Sequence, residues 1–197
     1  MTLLVRFLET FIYRLALPHL TQNNECNMRR GYSMKGIVAY DSVHGNTKLV
    51  AEAIADEIRA AGHEVEVFFL RESKPEDVKG DFLFIGSPTR ASRMTGEVKA
   101  FLENLNVEYW KNKPIVSFDT IGPLSKDDAE KRKKWLDMAE KGSKNAASRM
   151  RELCRERGLR DCSRVLHIAV VGFLGPLAPE ALDMAREFTR KFLTTVR

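Results

Sequence analysis

Cysteine is scarce in this chain: its 197 residues carry only Cys26, Cys154 and Cys162. These form no CxxC pair and no metal-like spacing with the four histidines, so neither a disulfide framework nor a zinc site is indicated, and a reducing cytoplasm is the expected compartment. Long apolar runs are missing as well. The segment Leu3 to Leu17 is interrupted by Arg6, Glu9 and Arg14, which makes it too polar for a membrane span of about 20 residues. No basic residue precedes it and no small-residue cleavage site follows, so it is a poor signal peptide. Internal repeats and low-complexity tracts are absent. A hydrophobic fraction of 44% and a charged fraction of 30% argue against a disordered chain, a collagen or a membrane bundle. The net charge of +5 and a pI near 9.2 raise the question of nucleic acid. The densest basic run, Lys131, Arg132, Lys133 and Lys134, follows Asp127, Asp128 and Glu130, so it reads as a solvated helix face and no nucleic-acid partner is expected.

The length suits one domain, and a domain of about 150 residues buries roughly 70% of its unfolded surface. Residues 1–33 differ in character from the rest and are expected to be an extension outside the fold. Leu4, Leu8, Phe11, Ile12 and Leu15 share a helical face, so membrane association is expected only through residues 1–20, if they are expressed. Thr21 to Ser33 is polar and shows no period. Arg29, Arg30 and Gly31 can be encoded by purine-rich triplets resembling a ribosome-binding site just before Met34. The expectation is therefore that translation starts at Met34, with 34–197 as the domain. An intact mass from the native source that includes residues 1–33 is the result that overturns this.

From Lys35 onward, short apolar runs alternate with amphipathic helices. Ile37 to Tyr40, Val65 to Leu70, Phe82 to Ile85, Ile115 to Phe118 and Leu166 to Val171 read as five strands. Phe82 to Ile85 is a continuous apolar run of the kind buried on both faces of a parallel sheet. Between the strands, Val50, Ala53, Ile54, Ile58 and Ala61 mark one helix, which Gly62 stops, and Val98, Phe101, Leu102 and Leu105 mark another. One long helix is expected from about Asp128 to Arg157, with Trp135, Met138, Ala139, Ala146, Met150 and Leu153 on a shared stripe. Gly142 falls on that stripe and marks either close packing against the sheet or a break. Leu182, Ala185, Phe188, Phe192 and Val196 mark the last helix. Five β-α units in series imply an α/β fold with a parallel sheet, right-handed crossovers and helices on both faces.

Ligands in such a sheet bind outside the carboxyl ends of the strands, where the strand order reverses. After the first strand come Ser42, Val43, His44, Gly45, Asn46 and Thr47, leading straight into a helix. Small hydroxyl residues and a glycine there expose backbone N–H groups to an anion, and the helix dipole favours one. Taken alone, the same residues also suit an N-cap and tight turn that bind nothing. The loop is neither GxGxxG nor a Walker A motif.

With Tyr40 and Asp41 before it and Ala51 and Ile54 on the helix behind, this loop closely resembles the FMN phosphate-binding signature of the flavodoxin family. The resemblance implies that Ser42, His44, Asn46 and Thr47 surround the phosphate with side-chain and backbone donors while Gly45 admits its approach. Gly86, Ser87, Pro88, Thr89, Arg90 and Ala91 resemble the family's second flavin loop, especially the SPTR or TPTR variants of quinone-reducing relatives. Asp119, Thr120, Ile121 and Gly122 occupy the place of the third. The family's fold is a doubly wound five-stranded parallel sheet of order 2-1-3-4-5, and its cofactor is FMN.

The sequence also departs from the family. No aromatic residue lies in either of the later loops, which leaves Met94, Arg90, or Tyr109 and Trp110 of a second copy in a homodimer to cover the ring. His44 is read either as a phosphate donor or as a solvent-facing residue, while His63 and His167 are read as structural. Flavodoxins are mostly strongly acidic. Setting aside the four basic and two acidic residues of the first 33 leaves 28 against 25 here, a net +3. A redox partner protein of different charge from the family norm is therefore expected. The leading expectation is electron transfer. The alternatives are an NAD(P)H-dependent quinone or flavin reductase, in which Arg90 clamps a second anion, and a flavodoxin-fold interaction module without flavin.

Overall fold

The computed structural model describes residues 33–142, 144–160, 165–172 and 175–196. The expectations for residues 1–32 lie outside the described residues. The compact unit Met34–Arg197 is built on five strands: β1 (Lys35–Tyr40), β2 (Glu64–Phe69), β3 (Phe82–Pro88), β4 (Ile115–Leu124) and β5 (Leu166–Val171). All neighbouring pairs are parallel, in the order β2-β1-β3-β4-β5. The helices are α1 (Asn46–Ala60), α2 (Gly96–Asn104), α3 (Val107–Trp110), α4 (Ala129–Lys141), α5 (Ala146–Glu156) and α6 (Ala181–Thr195).

Alternation along the strands sorts the side chains into two layers. Val38, Phe84, Phe118 and Ile168 meet Ile54 and Ile58 of α1 and Ala185 and Phe192 of α6. Ile37, Ala39, Leu83 and Ile85 meet Val98 and Leu102 of α2 and Met150 of α5 on the other face. The central strand β3 is buried on both sides, which is why it reads as an unbroken apolar run. α1 stops as its sequence predicts, with Gly62 at φ +84° donating to the Arg59 carbonyl.

Four expectations need correction. The helix expected over 128–157 is two helices, because Gly142 caps α4 and Asn145 starts α5 by accepting from the Ser148 N–H at 2.7 Å. The break resets the helical phase, so the shared stripe fails: Trp135 and Met138 are 52% and 68% exposed, while Arg132, Leu136 and Ala139 face inward. β3 and β4 run past their apolar runs to Pro88 and Leu124. Pairing to strands on both sides therefore keeps Asp119 and Thr120 in the sheet rather than in a loop. The fourth concerns β2 and β3, which are joined by residues 70–81 without a helix. That stretch contains Pro75 and no apolar stripe; it is held by Val78 in the core, by the Trp110 indole N–H on the Val78 carbonyl at 3.0 Å, and by Tyr109 Oη on the Gly80 carbonyl at 3.2 Å.

Candidate functional site

The loop after β1 is fixed from below. Asp41 is fully buried, its N–H reaches the Gly86 carbonyl at 3.0 Å, and its carboxylate accepts the Ser42 N–H at 2.8 Å. Arg71, just past β2, donates to both Asp41 oxygens at 3.0 Å, the bidentate geometry that suits a guanidinium. Gly45 then turns the chain at φ +86°, and α1 begins with its first backbone bond from Leu49 N–H to the Gly45 carbonyl. No side chain caps α1 and no acidic residue lies in its first turn. The N–H groups of Asn46, Thr47 and Lys48 thus have no intrahelical partner. The Ser42 Oγ beside them is buried without a hydrogen-bond partner. An orphaned hydroxyl and an open helix N-terminus suit a phosphate, so these residues fit the terminal phosphate of FMN.

Two side chains of this loop serve its neighbours. Asn46 donates to the Gly175 carbonyl at 3.0 Å, which ties the loop to the segment after β5. Thr47 and Thr120 share a hydroxyl–hydroxyl bond of 2.9 Å, which ties it to β4. Val43 is half-buried, and His44 and Lys48 are exposed, with Lys48 directed to Glu52 at 3.8 Å.

In the second loop the Ser87 hydroxyl accepts the Thr95 N–H at 3.0 Å and donates to the Pro88 carbonyl, so it is absorbed in holding its own loop. Thr89 donates to Asp119 Oδ2 at 2.7 Å and accepts the Ala146 N–H at 2.8 Å. Asp119 Oδ2 also accepts the Ala147 N–H at 3.1 Å, and Oδ1 lies 2.7 Å from His167 Nδ1. Since a carboxylate only accepts, this contact places the proton on Nδ1. His167 is structural, as its place in a strand suggests. Thr89, Asp119, His167 and the start of α5 thereby form one buried brace, and it locks the second loop to β4 and β5. Beyond Thr89 the chain makes a tight hairpin, Arg90 to Arg93, with all four residues exposed.

After β4, buried Arg132 binds Glu180 through two nitrogens at 2.7 and 2.9 Å and donates to the Ser125 and Lys126 carbonyls. It clamps the third loop to the turn before α6. Gly122 faces β5, where an added Cβ would lie 2.6 Å from the Val170 carbonyl oxygen.

The structure therefore brings Ser42, Gly45, Asn46, Thr47 and Thr120 together, turns Ser87, Thr89 and Asp119 toward scaffolding, and leaves Arg90 and Ala91 on a projecting tip. Met94 packs against the core beside α2, and Trp110 is wholly buried. Trp110 is thus not free to cover a flavin, while Met94 and Tyr109 are half-buried and Arg90 is exposed. Sequence reasoning missed Asp41, Arg71, Arg132 and Glu180. The available signal was Asp41 itself, a carboxylate beside an anion loop, which calls for a cation at the end of the adjacent strand.

Burial works to raise the pKa of Asp41. The Arg71 hydrogen bonds, the nearby Thr95 hydroxyl, the Arg71 charge and the Ser42 N–H outweigh it and hold the carboxyl below its ordinary range. A carboxyl with a lowered folded pKa contributes stability that is complete above its unfolded value, about 3.9, and lost as pH falls through the folded value. The loop anchor should thus hold down to about pH 4 and weaken only below it. Arg71→Met should move the acid loss to higher pH in thermal melts followed across that range. An unchanged acid limb would show that Arg71 does not anchor Asp41.

Residues 37–164 match the family model described as flavodoxin domain, and the chain belongs to that family. It is 36% identical over 78 residues to a flavodoxin of Aquifex aeolicus, covering 39% of this chain and 42% of that one. It is 30% identical over 88 residues to an NAD(P)H dehydrogenase (quinone) of Gluconacetobacter diazotrophicus, covering 34% of this chain and 44% of that one. The matched stretch thus spans less than half the length of either relative. Among solved structures, a flavodoxin from the domain Archaea superposes with a TM-score of 0.59 at 24% identity, covering 83% of this chain and 99% of that one. No helix among the described residues is long and apolar enough to cross a membrane.

Proposed function

We propose that the chain binds FMN with its phosphate at the N-terminus of α1 and carries electrons to or from a partner protein in the cytoplasm. The observation that supports this best is the unpartnered Ser42 Oγ beside the open N–H groups of Asn46, Thr47 and Lys48. When bound, FMN supplies one- and two-electron redox chemistry at its ring. The protein's part is positioning: the Asp41–Arg71 pair fixes the phosphate loop, the Thr89–Asp119–His167 brace fixes the second loop, and Arg132 fixes the third.

A reductase is the second reading, favoured by Pro88, Thr89 and Arg90 and by the likeness to a quinone-reducing relative. A reductase must hold a nicotinamide about 3 to 3.5 Å from the ring, and Arg90 stands on an exposed tip that encloses nothing. The carrier reading expects ready reduction by dithionite or a ferredoxin system but slow or undetectable oxidation of NADH and NADPH with quinones. Turnover of tens per second with NADPH and a benzoquinone, cut about tenfold by Arg90→Ala, a loss of about 1.4 kcal/mol in transition-state binding, would establish the reductase instead. A purified protein that is colourless and takes up no FMN would leave only the flavin-free interaction module.

A further inference from the structure

The hairpin Arg90 to Arg93 combines two local conflicts. Arg90 and Arg93 exchange both backbone bonds, at 3.0 and 2.9 Å, around a two-residue turn. The turn residues Ala91 and Ser92 have φ of +46° and +63°, a conformation that favours Asn-Gly and strains an ordinary residue. Residues that exchange both bonds are directly opposite, with side chains on the same side, and like charges so placed repel. Arg59, Arg71, Arg132, Arg149, Arg186 and Arg190 each pair with a carboxylate, and Arg157 and Arg160 donate to the Leu102 and Asn112 carbonyls, whereas Arg151 resembles the hairpin pair in having neither among the described residues. No carboxylate among the described residues pairs with Arg90 or Arg93, so nothing within the described chain offsets the repulsion. Strain and local conflict of this kind gather where a chain meets a ligand.

The tip is also presented firmly, because it springs from Thr89 in the buried brace and stands at the same end of the sheet as Ser42. Exposed Lys126 follows β4 at that end, likewise without a carboxylate partner among the described residues. A small anion on so open a tip stays largely hydrated, whereas a broad face carrying several carboxylates can engage both guanidiniums together. We propose that Arg90 and Arg93 are a docking contact for an acidic redox protein, with carboxylates of that protein supplying the counter-charges the hairpin lacks. The proposal rests on the electron-transfer reading above and gives its partner a charge.

The test uses the full chain loaded with FMN, the acidic haem protein cytochrome b5 as probe and the basic cytochrome c as control, in titration calorimetry. Flavin fluorescence first gives the FMN affinity of each variant. Cytochrome b5 should bind at an ionic strength of about 0.01 M and weaken about tenfold or more by 0.15 M, as the screening length falls from about 30 to 8 Å. Arg93→Gln should weaken that low-salt binding about threefold or more and leave FMN affinity unchanged, with no binding of cytochrome c by either form. Equal binding of cytochrome b5 by both forms, or preference for cytochrome c, would overturn the contact. So would a loss of FMN affinity in the variant, which assigns the pair to the cofactor. Failure of the unsubstituted protein to take up FMN overturns the function reading instead, and the cytochrome b5 titration still decides the contact.

Discussion

Asp119→Ala is expected to destabilise the domain by about 3–5 kcal/mol, because it leaves three donors without their acceptor at about 1–3 kcal/mol each. At about 2–4 °C per kcal/mol for a chain of this size, the Tm should fall by roughly 6–20 °C. The reason is a count of stranded donors: the Thr89 hydroxyl, the Ala147 N–H and His167 Nδ1 all end on this carboxylate. His167 Nε2 is already buried without a partner, so loss of the carboxylate would leave both ring nitrogens unpaired. Asp119→Asn is the sharper probe. It keeps the volume but puts an amide N–H against one of the three donors, and it should lose both stability and FMN affinity because the second loop is released. A Tm change under about 3 °C for the alanine variant would mean that the brace contributes little.

Gly45→Val is expected to abolish FMN-dependent stabilisation. At one hundred times its dissociation constant, a ligand that binds only the folded state adds about 2.7 kcal/mol, or roughly 5–10 °C in Tm here. The glycine is required by its backbone and not by crowding: its φ is +86°, and nothing lies within 4 Å of where a Cβ would stand. A β-branched residue is forced out of that conformation, which re-aims the first N–H groups of α1. Asn tolerates it, so Gly45→Asn should keep most of the stabilisation. If the valine variant retains the full ligand shift in a thermal melt, the phosphate is not held by this loop.

The strands were legible because apolar runs of four to six residues recur between amphipathic stretches, and each run became a strand of the sheet. What stayed hidden has one physical origin: contacts made across the fold override local pattern. Asp119 and Thr120 look like loop residues, yet β3 on one side and β5 on the other hold them in line. Arg132 sits in a run of four basic residues, and only the phase shared with Leu136 and Ala139 shows that it alone turns inward to Glu180. Gly142 offered two readings, and its capping bonds to Met138 and Ala139 show it to be a break. The order of the anion loop is written in sequence; the Asp41–Arg71 pair beneath it joins residues thirty apart and required the β1–β2 pairing.

The helix-free connection between β2 and β3 has a consequence for how the molecule breathes. β2 is an edge strand paired only to β1, and a cavity of about 680 Å³ lies between residues 70–78 and α2. Strand and connection therefore have less packing to lose than the central strands, and their amides should open to solvent exchange well before those of β3 or β4. Arg71 travels with that unit while its partner Asp41 stays behind under the anion loop. Each opening of the edge thus removes one of the loop's anchors, and a ligand that seats on the loop should slow exchange in a strand it never touches.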